Sequence, residues 1–515
     1  MNNSKAKKGI ANIATGILNQ LVTIAFGLLV PRLVLTNLGS EANGLLNSVT
    51  QILTYLYLLE AGIAAATLQA LYKPAATGDR DGMNRILSAA NRFYRRTGFI
   101  YMAAILLFAA IYSLTVPTAI DRREVAAVVL LGGLPGVVKY FLQAKLQLVL
   151  MAEGRNYINT NLATGFYIAN NLSKILLLTL GFGLVVLQAV YLLLDLIQVG
   201  ILYLYMRRHY HWLDMNAEPD MQAISQSKNV LVHDVSYLVT HNTDTLILTW
   251  FCGMDGLKYV SIYTMYNMLY HMISTLIENF SNANFILGQT FHTDRDRFVK
   301  LLDVYEVFNM ALSACLFTVL GMFVLPFLEL YTAGIHDIDY IDPLLPYLFL
   351  LLRFLNCGRN ASKQAIDFAQ HFKKTQWRAV LESVINIVVS ISAVLILREY
   401  NMMWGMYGVL IGTIVALLYR TNDMILYANR RILNRSPWAT YRRWIVNILL
   451  CIGISIGGKR ILALLPTDSY LWLLLWAAVS VIVLGVIFFG AACLTERKTV
   501  IFVKQNLRSL LKLST

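Results

Sequence analysis

At 515 residues, 57% of them hydrophobic and only 14% charged, the chain is too poor in charge to cover a globular surface, since soluble domains carry about 25% charged residues. Its mean hydropathy is +0.58, and apolar runs recur at lengths near the ~20 residues that span a bilayer. A net charge of +14 raises nucleic acid as a partner, but the placement of that charge along the chain excludes it.

The hydropathy pattern predicts an all-α polytopic protein with about fourteen membrane-spanning helices. They fall near residues 10–36, 44–71, 97–117, 125–150, 157–180, 184–206, 229–252, 258–288, 301–330, 343–368, 378–397, 404–428, 441–464 and 470–494. Connections are short, the longest being RRHYHWLDMNAEPDMQAISQSK from Arg207. No large water-soluble domain and no cleavable signal peptide are expected, and MNNSKAKKG reads as a short basic tail. The expected organisation is a six-helix bundle over 1–206, a cytoplasmic linker over 207–228, a second six-helix bundle over 229–430 and two further helices over 431–494. A basic amphipathic tail over 495–515 then lies on the anionic inner leaflet.

Basic residues sort to one side of this alternation. Lys5, Lys7, Lys8, Lys73, Arg80, Arg85, Arg92, Arg95 and Arg96 fall there, as do Arg207, Arg208, Arg378, Arg430, Arg442, Arg443 and the tail. The other side has Arg122, Arg123, Lys258, Arg398 and little more. That is the positive-inside asymmetry, and it puts both termini in the cytoplasm, in agreement with an even number of spans. The five cysteines form no CxxC pair and read as small apolar residues.

The first span ends in LLVPRLVLTNLGSEANG, where Arg32 interrupts an apolar run. An arginine inside a membrane helix costs between about 2.5 and about 17 kcal/mol, depending on how far it snorkels or draws in water. Arg32 either holds an anionic ligand bidentately or pairs with Glu60 or the neighbouring helix. Pro31 gives that helix either a static kink or a hinge. The stretch also echoes within the chain: LVLTNLGSEANG from Leu33 resembles LILTWFCGMDGL from Leu246, each running L-x-L-T and then a glycine and an acid. A repeat six spans apart suggests two parallel six-helix halves, a common build for secondary transporters.

Polar residues recur at steps of three and four, which puts each set on one helix face. The sets are Asn47, Gln51, Tyr55 and then Glu60; Lys139, Tyr140, Gln143 and Lys145; Asn170, Asn171 and Lys174; and Gln188, Tyr191, Asp195 and Gln198. Further on come Asp234, Tyr237, His241 and Asp244, then Asn267, His271, Ser274 and Glu278, then Arg353, Arg359, Lys363 and Asp367, and finally Glu382, Asn386 and Ser390. Amides and hydroxyls often only glue helices together. Ionised groups on so many helices cannot all face lipid and must share an interior that water enters. Arg32, Lys139, Lys145, Lys174 and Arg359 are the candidate cationic substrate-binding residues. Glu60, Asp195, Asp234, His241, Asp244 and Glu278 are the candidate ion-coupling residues. His241 beside Asp234 and Asp244 is either a titrating set or a structural pair.

The sequence has no Walker loop, HExxH, Cys/His ligand spacing or nucleophile elbow. Neither catalytic residues nor a metal or cofactor is expected.

VPRLVLTNLGSEANGLLNSVTQILTYLYLLEAGIAAATLQALYKP, GLKYVSIYTMYNM, WRAVLESVINIVV and GVLIGTIVALLYR resemble the Wzx-type polysaccharide-biosynthesis flippases of the multidrug/oligosaccharidyl-lipid/polysaccharide exporter (MOP) superfamily. The resemblance runs from about residue 10 to residue 435. It implies two six-helix bundles in a V with two extra C-terminal helices, in a bacterial plasma membrane. The implied activity is movement of an undecaprenyl-pyrophosphate-linked oligosaccharide to the outer leaflet by alternating access, driven by a proton or sodium gradient or by the membrane potential, with membrane lipids and glycan-assembly proteins as candidate partners. A peptidoglycan lipid-precursor flippase, a cation-coupled multidrug exporter and a non-transporting membrane scaffold of a glycan-assembly complex are the alternatives.

Overall fold

The computed structural model describes residues 3–57, 60, 63–221, 239, 242–280, 287, 290, 291, 294–369, 371–462 and 464–512. Among them the chain is all-helical, and nine helices are long and apolar enough to cross a membrane. The protein is a multi-pass membrane protein. It divides into two compact units, Met1–Ser261 and Ile262–Thr515.

Unit 1 opens with α1 (Asn3–Tyr57), which runs straight through Pro31 and breaks at Gly39, whose φ of 86° and ψ of 173° are not helical. Proline keeps a helix-compatible φ, whereas only glycine takes a positive φ at little cost. The first span therefore reaches further than the expected residue 36. The expected span 44–71 is divided between the second arm of α1 and α2 (Ile63–Thr77), with Glu60 between them.

α3 (Arg80–Thr115) begins well before the expected residue 97. Asp79 caps it, its Oδ1 accepting from the Gly82 N–H at 2.9 Å. Its first turns are amphipathic: Met83, Ile86, Leu87, Ala90 and Tyr94 are buried while Arg85, Arg92, Arg95 and Arg96 are exposed. Averaged hydropathy hides such a segment because its apolar residues are periodic, not contiguous. α4 (Arg122–Val138) continues through a π-helical turn, Lys139–Gln143, into α5 (Ala144–Ala152). α6 (Asn156–Thr179) and α7 (Leu184–His209) complete the bundle, and 242–251 is again helical.

The described part of the expected linker is fastened to unit 1. The Asn84 amide donates to the Trp212 carbonyl at 3.0 Å, and its oxygen accepts from the Asp214 N–H at 3.1 Å. Arg80 stands 5.5 Å over the Trp212 ring. Tyr210 donates to Glu153 Oε2 at 2.7 Å, and burial together with that carboxylate pushes the phenol above its ordinary range.

Unit 2 takes most of α8 (Gly256–Phe280), then α9 (Arg295–Tyr331), α10 (Leu345–Phe368), α11 (Phe372–Leu397), α12 (Gly405–Arg431), α13 (Trp438–Leu462), α14 (Tyr470–Thr495) and the tail helix α15 (Arg497–Lys512). Lys300 of α9 stands 5.9 Å over the Phe502 ring, so the tail rests on the bundle.

Candidate functional site

Unit 1 collects charge around tyrosines among its helices. Lys139 opens the π-helical turn, and its Nζ lies 3.9 Å from Glu60 Oε2 and 5.2 Å over the Tyr57 ring. Glu60 Oε1 accepts from the Tyr94 hydroxyl at 3.1 Å. Tyr57 stacks on Tyr101 at 5.7 Å, Tyr101 meets Tyr140 edge-on at 5.1 Å, and the Tyr140 hydroxyl donates to the Tyr57 carbonyl at 3.5 Å. On α7, Asp195 has one buried carboxylate oxygen without a hydrogen-bond partner, and the Lys139 charge acts on it. Lys174 of α6 stands 5.5 Å over the ring of Tyr191, one helical turn before Asp195.

Two cations and two carboxylates thus share one tyrosine-lined group. Tyrosine is suited to this position, because its ring faces cations and apolar surface while its hydroxyl serves as donor or acceptor. The Lys139–Glu60 contact is long, and the lysine side chain is 38% exposed. It is therefore a loose pair, open to exchange for another partner.

The remaining sequence candidates lie elsewhere. Arg32 is half-buried on the α1 segment whose Val30 and Val34 pack on Leu178 of α6 and Leu187 of α7. Lys145, one π-turn beyond Lys139, bonds neutral groups instead, Asn91 Oδ1 and the Phe141 carbonyl. Asp244 is 1% exposed next to Thr243, which bonds the Tyr55 hydroxyl at 2.7 Å. Asp234 and His241 lie outside the described residues. Glu278 is exposed on α8, and it and Arg353 both act electrostatically on His271. Arg353 donates to Asn267 Oδ1 at 2.7 Å.

Arg359 is engaged in a buried chain. It bonds Glu382 Oε1 at 2.8 Å and Asn356 Oδ1 at 2.6 Å. Glu382 also faces Arg420 at 3.4 Å, Arg420 bonds Asp423 at 2.8 Å, and Asp423 pairs with Arg378. A second network joins α9, α13 and the start of α15. Glu306 meets Arg435 at 3.0 Å and also Arg443, which bonds Asp303 at 2.6 Å and Glu496 at 2.9 Å.

Sequence reading missed Tyr57, Tyr94 and Tyr101, although Tyr94 and Tyr101 are seven apart and hence on one face of α3. It also missed Asp303, Glu306, Arg420 and Asp423, which stand at i, i+3 in otherwise apolar helices and carry the signal of buried ion pairs.

The internal echo has a structural counterpart. Gly39 and Gly253 both have positive φ, 86° and 64°, and each precedes a new helix. The two echoes also touch. A Cβ on Gly44 would lie 1.7 Å from the Leu257 carbonyl oxygen, Asn43 donates to Ser261 Oγ at 2.7 Å, and Ser48 and Thr249 hydroxyls are 3.0 Å apart.

No protein-family model matches the chain, and no curated protein matches it. Solved structures do. The chain is similar to the lipid II flippase MurJ in an inward closed conformation, with a TM-score of 0.65 at 12% identity over 94% of this chain and all of that one. It is similar to a multidrug resistance MATE family transporter of the MOP superfamily in an inward-facing conformation, with a TM-score of 0.60 at 14% identity over 80% of this chain and 94% of that one. A MOP superfamily transporter from Pyrococcus furiosus gives a TM-score of 0.55 at 15% identity, over 83% and 95%. The chain therefore has the helical fold found in MATE and MurJ transporters.

Proposed function

We propose that the protein is a secondary-transport flippase that moves an undecaprenyl-pyrophosphate-linked oligosaccharide from the cytoplasmic to the outer leaflet of a bacterial plasma membrane. It works by alternating access between two six-helix halves, with both termini in the cytoplasm. The observation that carries the reading is the pair Lys139 and Lys174, held among tyrosines beside Glu60 and Asp195. A lysine is a strongly hydrated point charge, so keeping two of them in a bundle interior calls for an anion that visits. A pyrophosphate supplies it, and tyrosine faces and hydroxyls suit a sugar. When the pyrophosphate takes Lys139 from Glu60, the freed carboxylate is open to a coupling cation, which ties transport to a proton or sodium gradient.

The fold shared with a protein named as a lipid II flippase supports a lipid-linked substrate. Cationic-drug export would need a site dominated by acids, which two lysines against two carboxylates do not provide.

The test is leaflet translocation in proteoliposomes, with a sugar-labelled oligosaccharide on polyprenyl pyrophosphate and an imposed pH gradient. Wild type should move the label and Lys174→Ala should move it more slowly while remaining folded. Transport of lipid II alone would shift the substrate to the peptidoglycan precursor. Movement of neither lipid would sink the flippase reading.

A further inference from the structure

The amphipathic start of α3 carries a basic face that the transport reading does not use. Arg92, Arg95 and Arg96 are exposed and, at steps of three and four, share one helix face. That face continues directly into Phe99 and Ile100, 54% and 48% exposed, and on to Leu106 and Leu107. The change from guanidinium to hydrocarbon within one turn marks where the bilayer boundary crosses the helix. Beside it, Phe141 of the π-helical turn packs edge-on against Phe99 at 5.0 Å, and Leu142 is exposed. Just past that turn, Lys145 of α5 is held by Asn91 and the Phe141 carbonyl, with the Arg95 charge acting on it.

These cations lack acids. Among the described residues the ion pairs of unit 1 are Lys139–Glu60, Arg155–Glu153 and Lys258–Asp255, and none involves this face. Lys145 has only neutral partners and a repelling arginine. Several like charges fixed together at a membrane boundary favour an anion that spans headgroup and hydrocarbon at once.

We propose that Arg92, Arg95, Arg96 and Lys145 bind the phosphate of an anionic phospholipid, whose acyl chains lie along Phe99, Ile100 and Leu142. Arginine forks take phosphate oxygens bidentately, and the half-buried Lys145 adds a point charge from the adjacent helix. Neutral phosphatidylcholine carries a cationic group over its phosphate and fits less well. The site is separate from the Lys139 group and stands whether or not the substrate reading does.

The test is native mass spectrometry of the full chain in detergent, titrated with phosphatidylglycerol or phosphatidylcholine. Wild type should retain phosphatidylglycerol preferentially. Arg95→Ala/Arg96→Ala should bind it about thirtyfold more weakly, since each basic residue at an anionic surface contributes about a factor of five. Both arginines are exposed, so the variant should fold, and Arg95→Lys/Arg96→Lys should keep most of the binding. Arg122→Ala/Arg123→Ala, which removes as much charge from the other end of the α3–α4 hairpin, should match wild type. Equal retention of the two lipids by wild type overturns the proposal. So does an alanine variant that binds like wild type, or an equal loss in the Arg122/Arg123 control.

Discussion

In unit 2, Arg359, Arg420 and Arg378 alternate with Glu382 and Asp423, and Arg435 and Arg443 meet Asp303, Glu306 and Glu496. In unit 1, Lys139 stands 3.9 Å from its carboxylate, and among the described residues Asp195 keeps an oxygen without a bond and Arg92, Arg95 and Arg96 pair with no acid. Within the helix-bundle interiors, leaving aside the exposed arginine face, the choice of cation follows the same division. Planar guanidinium forks close buried networks, whereas the mobile ammonium groups sit where a partner must come and go. Closed networks hold helices in register, and incompletely compensated charge is what a moving anion can use. The charges of unit 2 thus read as scaffold, whereas those of unit 1 are left open for the anion proposed above.

The largest effect should come from opening a closed network. Glu382→Leu leaves Arg359 with only Asn356 for a partner, and removing one member of a buried ion pair costs about 3–5 kcal/mol. Scanning fluorimetry of purified protein should show a large drop in Tm or loss of folded material. If Tm is unchanged, the network is not a scaffold and the contrast between the units fails.

Lys139→Ala should behave in the opposite way. A long, partly exposed pair contributes little to stability, so Tm should hardly move. Transport should fall by about tenfold or more, the loss expected for one charge-assisted contact to substrate. A variant that unfolds but, where folded, transports normally would place Lys139 with the scaffold.

How far the sequence foretold this division depends on what each residue's neighbours are in the fold. Helix existence was legible because a bilayer demands long apolar runs, and the echo around Gly39 and Gly253 was legible because the glycine sits at a fixed break. The early start of α3 was not, since seventeen amphipathic residues average to a polar stretch. Lys139, Lys174, Glu60 and Asp195 were legible as buried charges, and the fold does bring them into one group. Lys145 is only six residues from Lys139, but the π-helical turn rotates it toward Asn91, and a π-turn leaves no mark on helical periodicity. Arg359 was legible as buried, whereas its closure by Glu382 depends on how α10 and α11 pack.

The smallest effect concerns His371, between α10 and α11. Its Nε2 lies 3.2 Å from the Lys374 ammonium and its Nδ1 3.0 Å from the Tyr427 hydroxyl. An ammonium only donates, so Nε2 accepts and the neutral ring donates from Nδ1–H to Tyr427. Burial, and then the Lys374 charge, hold the imidazole below its ordinary value. A histidine with a lowered folded-state value is neutral in the folded chain while the unfolded chain still takes up a proton. Its contribution to stability is therefore full above the unfolded value, near pH 6.5, and is lost as pH falls through the lowered one. Tm of wild type should decline below about pH 6.5 more than that of His371→Gln, whose amide keeps an acceptor for Lys374 and does not titrate. Identical slopes would mean that this rim of unit 2 is as loosely held as the arginine face of unit 1, and the contrast would then apply only to the buried networks.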